Sequence, residues 1–200
     1  GDMDIPPASP EDATIGLIEN RGTGRLVASP CTVLARASTS LVAVDVVGDP
    51  KPDVVVASIN EVSAPPMIQF VETLADHPQA LSQTFVTNLY GSPYRIAVGD
   101  LGGSSLPDFA LVAPAQSNVR TVSMLVSSGT ARGSMQFTER HPTTIVPNPY
   151  GVAIGDVDGD GTGEVITTFD RLASPSDGIY VLKPDGSAQA QHLGGSAPQD

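Results

Sequence analysis

Gly151-Val-Ala-Ile-Gly-Asp156-Val-Asp158-Gly-Asp160-Gly-Thr162-Gly-Glu164-Val-Ile-Thr-Thr168 decides how the rest of the chain is read. An apolar run ends at Gly155, and carboxylates then recur at every second position, Asp156, Asp158 and Asp160. Gly161 follows, Thr162 can offer its backbone carbonyl, and Glu164 closes the loop before the β-branched run Val165 to Thr168. A hard cation such as Ca²⁺ takes six to eight oxygens, at roughly 2.3–2.6 Å, from a short flexible loop. Alternating aspartates turned inward by glycines supply that set, so Asp156, Asp158, Asp160, Thr162 and Glu164 are the expected Ca²⁺ ligands. The bland alternative is a solvated acidic turn, in which neighbouring carboxylates would repel one another without a counter-ion.

The EF-hand is the first template to test, because its loop ends in a bidentate Glu at the twelfth position. Counted from Asp156, the twelfth residue is Thr167 and the acid stands at the ninth. The flanks Val152–Ile154 and Val165–Thr168 read as strands rather than helices. A dockerin-like module fails for the same reason and also needs a shorter period. The site is expected to be strand–loop–strand.

Two further copies of this pattern precede it. Leu41 to Asp45 leads through Asp49 to Asp53 and Val54–Ala57; Arg95 to Asp100 leads through Ser104 to Asp108 and Phe109–Val112. Each first acid is followed eight positions later by the closing acid, and the first acids at 45, 100 and 156 are 55 and 56 residues apart. Pro93-Tyr94 and Pro149-Tyr150 precede the second and third loops at the same offset. Apolar segments 68–71, 122–125 and 179–182 follow at 22 or 23 residues, the last two running into the turn signals Ser127-Ser-Gly129 and Lys183-Pro-Asp-Gly186. Each repeat therefore reads as four antiparallel strands, the first starting near residues 41, 95 and 151. Tandem units of this size are the signature of β-propeller blades.

The expected organisation is one repeat domain over 1–200. It divides into a partial blade at 1–38, blades at 39–92, 93–147 and 148–193, and a tail at 194–200. In the partial blade Ile15–Ile18 is the hairpin strand, Asn20–Gly24 its turn, Ile5–Asp12 a connecting loop and Asp2 the closing acid of a preceding loop.

Composition agrees with this. Glycine (20 residues) and proline (18) are abundant while only 16% of residues are charged, which suits a turn-rich all-β chain. The net charge of −12 disfavours nucleic acid and anionic membranes as partners. No apolar run approaches a membrane span and no signal peptide is visible. The single Cys31 excludes an internal disulfide and reads as a buried thiol. His77, His141 and His192 carry no metal-ligand spacing, and Gly-x-Ser-x-Gly is absent, so nothing supports an enzyme.

The stretch from Pro149 to Ile166, with the looser copies Asp45–Ala57 and Asp100–Ala113, resembles the FG-GAP/VCBS repeat family, whose blades build integrin-α propellers. The resemblance implies Ca²⁺ in the loop between the first two strands of a blade and an extracellular or cell-surface setting. It also implies a recognition or adhesion module for a protein or glycan ligand, with no catalytic residues in the repeat. The other reading is a purely structural part of a larger secreted protein, such as an accessory to an enzymatic domain. The repeats are expected to belong to a larger propeller, of seven blades by resemblance, completed by further sequence, a partner chain or self-association. Tyr94 and Tyr150, recurring with the repeat, are better read as packing residues than as a sugar platform. The first loop departs from the pattern, with Val47 at its third position, and leaves Asp45, Asp49 and Asp53 as a second, less complete metal set. The second loop keeps only Asp100 and Asp108 and is expected to be an empty turn.

Overall fold

A computed structural model describes residues 8–9, 13–16, 18–20, 26–28, 30–47, 51–58, 65–73, 78–89, 91–102, 105–113, 121–128, 136–142, 149–169 and 178–192. Every strand pair is antiparallel and there is no helix among these residues. The chain opens with five short strands, β1 (Ala8–Ser9), β2 (Thr14–Ile15), β3 (Ile18–Asn20), β4 (Leu26–Ala28) and β5 (Thr32–Val33). Three four-stranded sheets follow in chain order. The first holds β6 (Ser38–Val44), β7 (Asp53–Ser58), β8 (Met67–Thr73) and β9 (Pro78–Val86). The second holds β10 (Arg95–Gly99), β11 (Asp108–Val112), β12 (Val122–Ser127) and β13 (Phe137–Arg140). The third holds β14 (Pro149–Gly155), β15 (Glu164–Phe169), β16 (Gly178–Leu182) and β17 (Ala188–His192). Each is a simple up-and-down meander, the blade-like unit that the repeat predicts.

The second strand of each unit reads as an unbroken apolar run because both of its faces are covered. In β7, Val54 and Val56 enter a layer with Ile15 and Leu34, whereas Val55 and Ala57 enter the layer facing the second sheet. In β11, Phe109 and Leu111 face back into that same layer, and Ala110 and Val112 face forward onto Val165 and Leu182 of the third sheet. The two-residue period of a strand thus sends alternate side chains into successive cores, and the hydrophobic core is a series of layers between stacked sheets. Fully burying such aliphatic side chains contributes about 1.5–3 kcal/mol each, so the sheets hold one another in place.

Polar contacts fix the stack laterally. The first strands β6, β10 and β14 lie side by side. Ile96 N donates to Ser40 Oγ at 3.3 Å, and the Thr39 hydroxyl donates to the Pro93 carbonyl. Glu139 on β13 accepts from Asn88 N (2.9 and 3.0 Å), Asn88 Nδ2 (2.6 Å) and Ser123 Oγ (2.6 Å), tying the second sheet to the end of the first. Tyr94 and Tyr150 meet across the second and third units with ring centroids 6.2 Å apart, although Tyr150 remains 63% exposed.

Several boundaries differ from the sequence expectation. β10 starts at Arg95 as expected, but β6 begins at Ser38 and β14 at Pro149. In both, the added residues pair across a register shift, between Ser38 and Ser40 and between Pro149 and Val152, and a bulge hides the alternation there. The N-terminal hairpin strand expected over 15–18 is split into β2 and β3, which pair with β5 and β4 respectively. Within the stretch expected to be a connecting loop, β1 pairs with β2. Cys31 is exposed, not buried: it precedes the two-residue β5, in which Val33 is itself 70% exposed. Asp2, His77, the turn residues 21–24 and the tail 194–200 lie outside the described residues.

Candidate metal centre

In all three repeats, the acid that closes the loop starts the second strand and is buried at the end of the sheet. Asp53 and Asp108 are fully buried and Glu164 is 1% exposed. A buried carboxylate is retained only where partners replace its water. Asp53 Oδ2 accepts from Val46 N (2.9 Å) and Val47 N (3.2 Å), while Oδ1 accepts from Thr73 N (3.0 Å). Asp108 Oδ2 accepts from Leu101 N at 2.6 Å, and Oδ1 accepts from Ser127 N (2.6 Å) and Ser127 Oγ (2.7 Å). In these two repeats both oxygens are engaged by the loop and by the end of the third strand. The closing acid acts as a brace.

Glu164 differs by one methylene and by its neighbours. Its Oε2 still accepts from the loop, at Val157 N (3.0 Å), but Oε1 is directed to a cluster of charge. Ligand atoms of Asp156, Asp158 and Glu164 lie within 4.8 Å of one another, the one such carboxylate, histidine or cysteine group among the described residues. The loop is folded by its own aspartates: Asp156 accepts from Gly159 N (2.7 Å), Asp160 N (3.2 Å) and Gly161 N (2.9 Å). Asp160 Oδ1 accepts from Thr162 N at 2.8 Å. Gly159 (φ 78°) and Gly161 (φ 89°) take the left-handed conformation this curl requires. The loop is also pinned to its neighbour, since Gly163 N donates to the Asp100 carbonyl at 2.8 Å.

One cation is already present. Lys183, in the turn after β16, places Nζ 2.6 Å from Asp158 Oδ2, 3.7 Å from Asp160 Oδ2 and 3.9 Å from Glu164 Oε1. The ammonium holds the Asp158 carboxyl below its ordinary range, and the carboxylates hold Lys183 above its own. Asp156 and Asp158 are exposed, and a cleft of about 510 Å³, lined in part by Arg140, Asp160, Glu164 and Lys183, borders the cluster.

Of the five residues expected as ligands, the fold thus brings Asp156, Asp158 and Glu164 together, with Asp160 on the shared lysine and Thr162 at the loop's end. This all-oxygen donor set, without histidine or cysteine, fits a hard cation. In the first loop Asp45 is exposed, Asp53 is engaged by three backbone N–H groups, and Asp49 lies outside the described residues. In the second, Asp100 Oδ1 accepts from Gly102 N at 2.8 Å. Lys183 was visible in the sequence only as part of a turn signal, because the 25 residues separating it from Asp158 are bridged by strand register. No protein-family model matches the chain, and no curated protein matches it.

Proposed function

We propose that this chain is a Ca²⁺-stabilised β-propeller-type recognition module of the FG-GAP/VCBS kind, carried by an exported protein and binding a protein or glycan ligand. The observation that carries this reading is the carboxylate group Asp156, Asp158 and Glu164 at the loop end of a four-stranded unit that stacks face to face on its own repeats. Asp156, Asp158, Asp160, Glu164 and the Thr162 carbonyl would hold the ion, with water completing the shell. The ion would neutralise the crowded carboxylates and fix the loop connecting β14 to β15. Recognition would then use the loops that the stacked sheets present at their ends.

The test is thermal unfolding with and without calcium. Extracellular sites of this type bind at roughly 10⁻⁴–10⁻³ M. At about 10 mM calcium, mass action then raises the melting temperature of a chain this size by about 3–8 °C. Asp158→Ala should remove most of the rise, and Asp100→Ala should leave it in place. Equal effects of the two substitutions would refute the assignment. A glycan array and a protein-binding screen in calcium test the recognition half separately.

A further inference from the structure

Lys183 stands where neither other repeat has a cation. The pairs Val54–Val71, Phe109–Leu125 and Val165–Leu182 are equivalent in register. The next residue along the chain, in or just past the third strand, is therefore Glu72, Val126 or Lys183. The lysine occurs beside the loop that, among the described residues, brings three acids together, and its ammonium approaches three of that loop's carboxylates. Its backbone is fixed: Lys183 N donates to Ser187 O at 2.8 Å, and Gly186 N donates back to Lys183 O at 2.9 Å. The side chain is not enclosed, being 36% exposed above the cleft. A four-carbon stem on a fixed backbone can withdraw its charge into solvent without disturbing the turn.

We propose that Lys183 is a tethered competitor for the cation site, occupying the carboxylates when no metal is bound and yielding to a divalent ion, so that it sets the calcium concentration at which the loop fills. This rests on the metal reading above. An ammonium and a Ca²⁺ ion draw on the same Asp158, Asp160 and Glu164 oxygens, and both cannot be accommodated at contact distance without strong repulsion. The lysine stabilises the metal-free loop and weakens the metal-bound one.

Calorimetric titration of the wild type, Lys183→Met and Lys183→Arg with calcium chloride tests this, alongside melting curves in chelator. Lys183→Met should bind calcium about two- to fivefold more tightly, the size expected for removing a partly exposed ion pair. It should also melt below the wild type in chelator and gain more on adding calcium. Lys183→Arg keeps the charge and should bind no more tightly than the wild type. Should the Met variant fail to fold, Lys183→Gln removes the charge while keeping a polar side chain. Equal or weaker binding by the neutral variants overturns the competition and leaves the metal site standing. An absence of binding in every variant overturns both.

Discussion

Asp108 and Ser127, 19 residues apart, are joined twice: one carboxylate oxygen accepts both the backbone N–H and the hydroxyl of the serine, at 2.6 and 2.7 Å. The other oxygen holds Leu101 N, so a single buried side chain closes the loop onto the end of β12. Removing it strands buried donors, each costing about 1–3 kcal/mol. Asp108→Ala should therefore lower unfolding stability by about 2–4 kcal/mol. Ser127→Ala, which keeps the backbone bond, should cost about 1 kcal/mol. Urea denaturation of the two variants measures the difference, and equal losses would contradict the brace.

The acid dependence of Asp108 and Asp158 should have opposite signs. Burial pushes the Asp108 carboxyl above its ordinary value of 3.8, against the bonds from Ser127 and Leu101 that pull it down. The native state therefore takes up the proton before the unfolded chain does, and this group's contribution improves as pH falls through its raised value toward 3.8. Asp158 is held below 3.8, first by its hydrogen bond to Lys183. Its contribution is present above 3.8 and is lost as pH falls through the depressed value. In chelator, from about pH 7 to about pH 3, the stability of the wild type relative to Asp108→Asn should rise, and relative to Asp158→Asn should fall. Urea midpoints across that range give both slopes.

The junction between the second and third units depends on two missing side chains. A Cβ on Gly163 would lie 2.2 Å from the Asp100 carbonyl oxygen, and one on Gly99 would lie 2.4 Å from Ile154 Cγ2. Gly163→Ala must displace backbone and disturb the 2.8 Å bond to Asp100, so a loss of about 1–3 kcal/mol or more is expected. Gly155→Ala meets nothing within 4 Å and should change stability by at most about 0.5 kcal/mol. If both alanines are equally tolerated, the two loops are not in register as described.

The repeat made the sheets legible because acids at a fixed spacing mark one loop per unit, and the apolar runs after them are strands buried on both faces. The third-strand segments at 68, 122 and 179 all fall within β8, β12 and β16. The use of each closing acid was less legible. Asp53, Asp108 and Glu164 occupy one position of the pattern, yet two brace the backbone with both oxygens while the third, longer by a methylene, leaves one oxygen toward the cluster. Spacing cannot distinguish these roles, because the deciding partners, Thr73, Ser127 and Lys183, come from the end of the third strand or the turn just after it. The outer strands were also obscure: β13 is short, three of its four residues are polar, and its single apolar residue, Phe137, packs into the layer against the first sheet.

Phe137 makes that meeting. From the last strand of the second unit its ring stacks on Phe70 (centroids 6.0 Å, planes 3° apart) and stands edge-on to Phe85 (5.4 Å) and Phe109 (5.7 Å). Phe70 and Phe85 belong to the first unit, so one side chain joins four rings across the interface of two sheets. Phe137 is only partly buried, which places its truncation below the full range for a core phenylalanine. Phe137→Ala should cost about 2–4 kcal/mol. Phe137→Leu, which keeps apolar volume and loses the ring geometry, should cost about 1–2 kcal/mol. The coupling is measurable by a double-mutant cycle with Phe85→Ala, whose ring pairs with Phe137 at the shortest distance in the cluster. A coupling energy of about 0.5–1.5 kcal/mol in urea unfolding is the expected outcome. Strict additivity would mean that the Phe85 and Phe137 rings are not in contact, leaving Phe70 to carry the aromatic link between the two sheets.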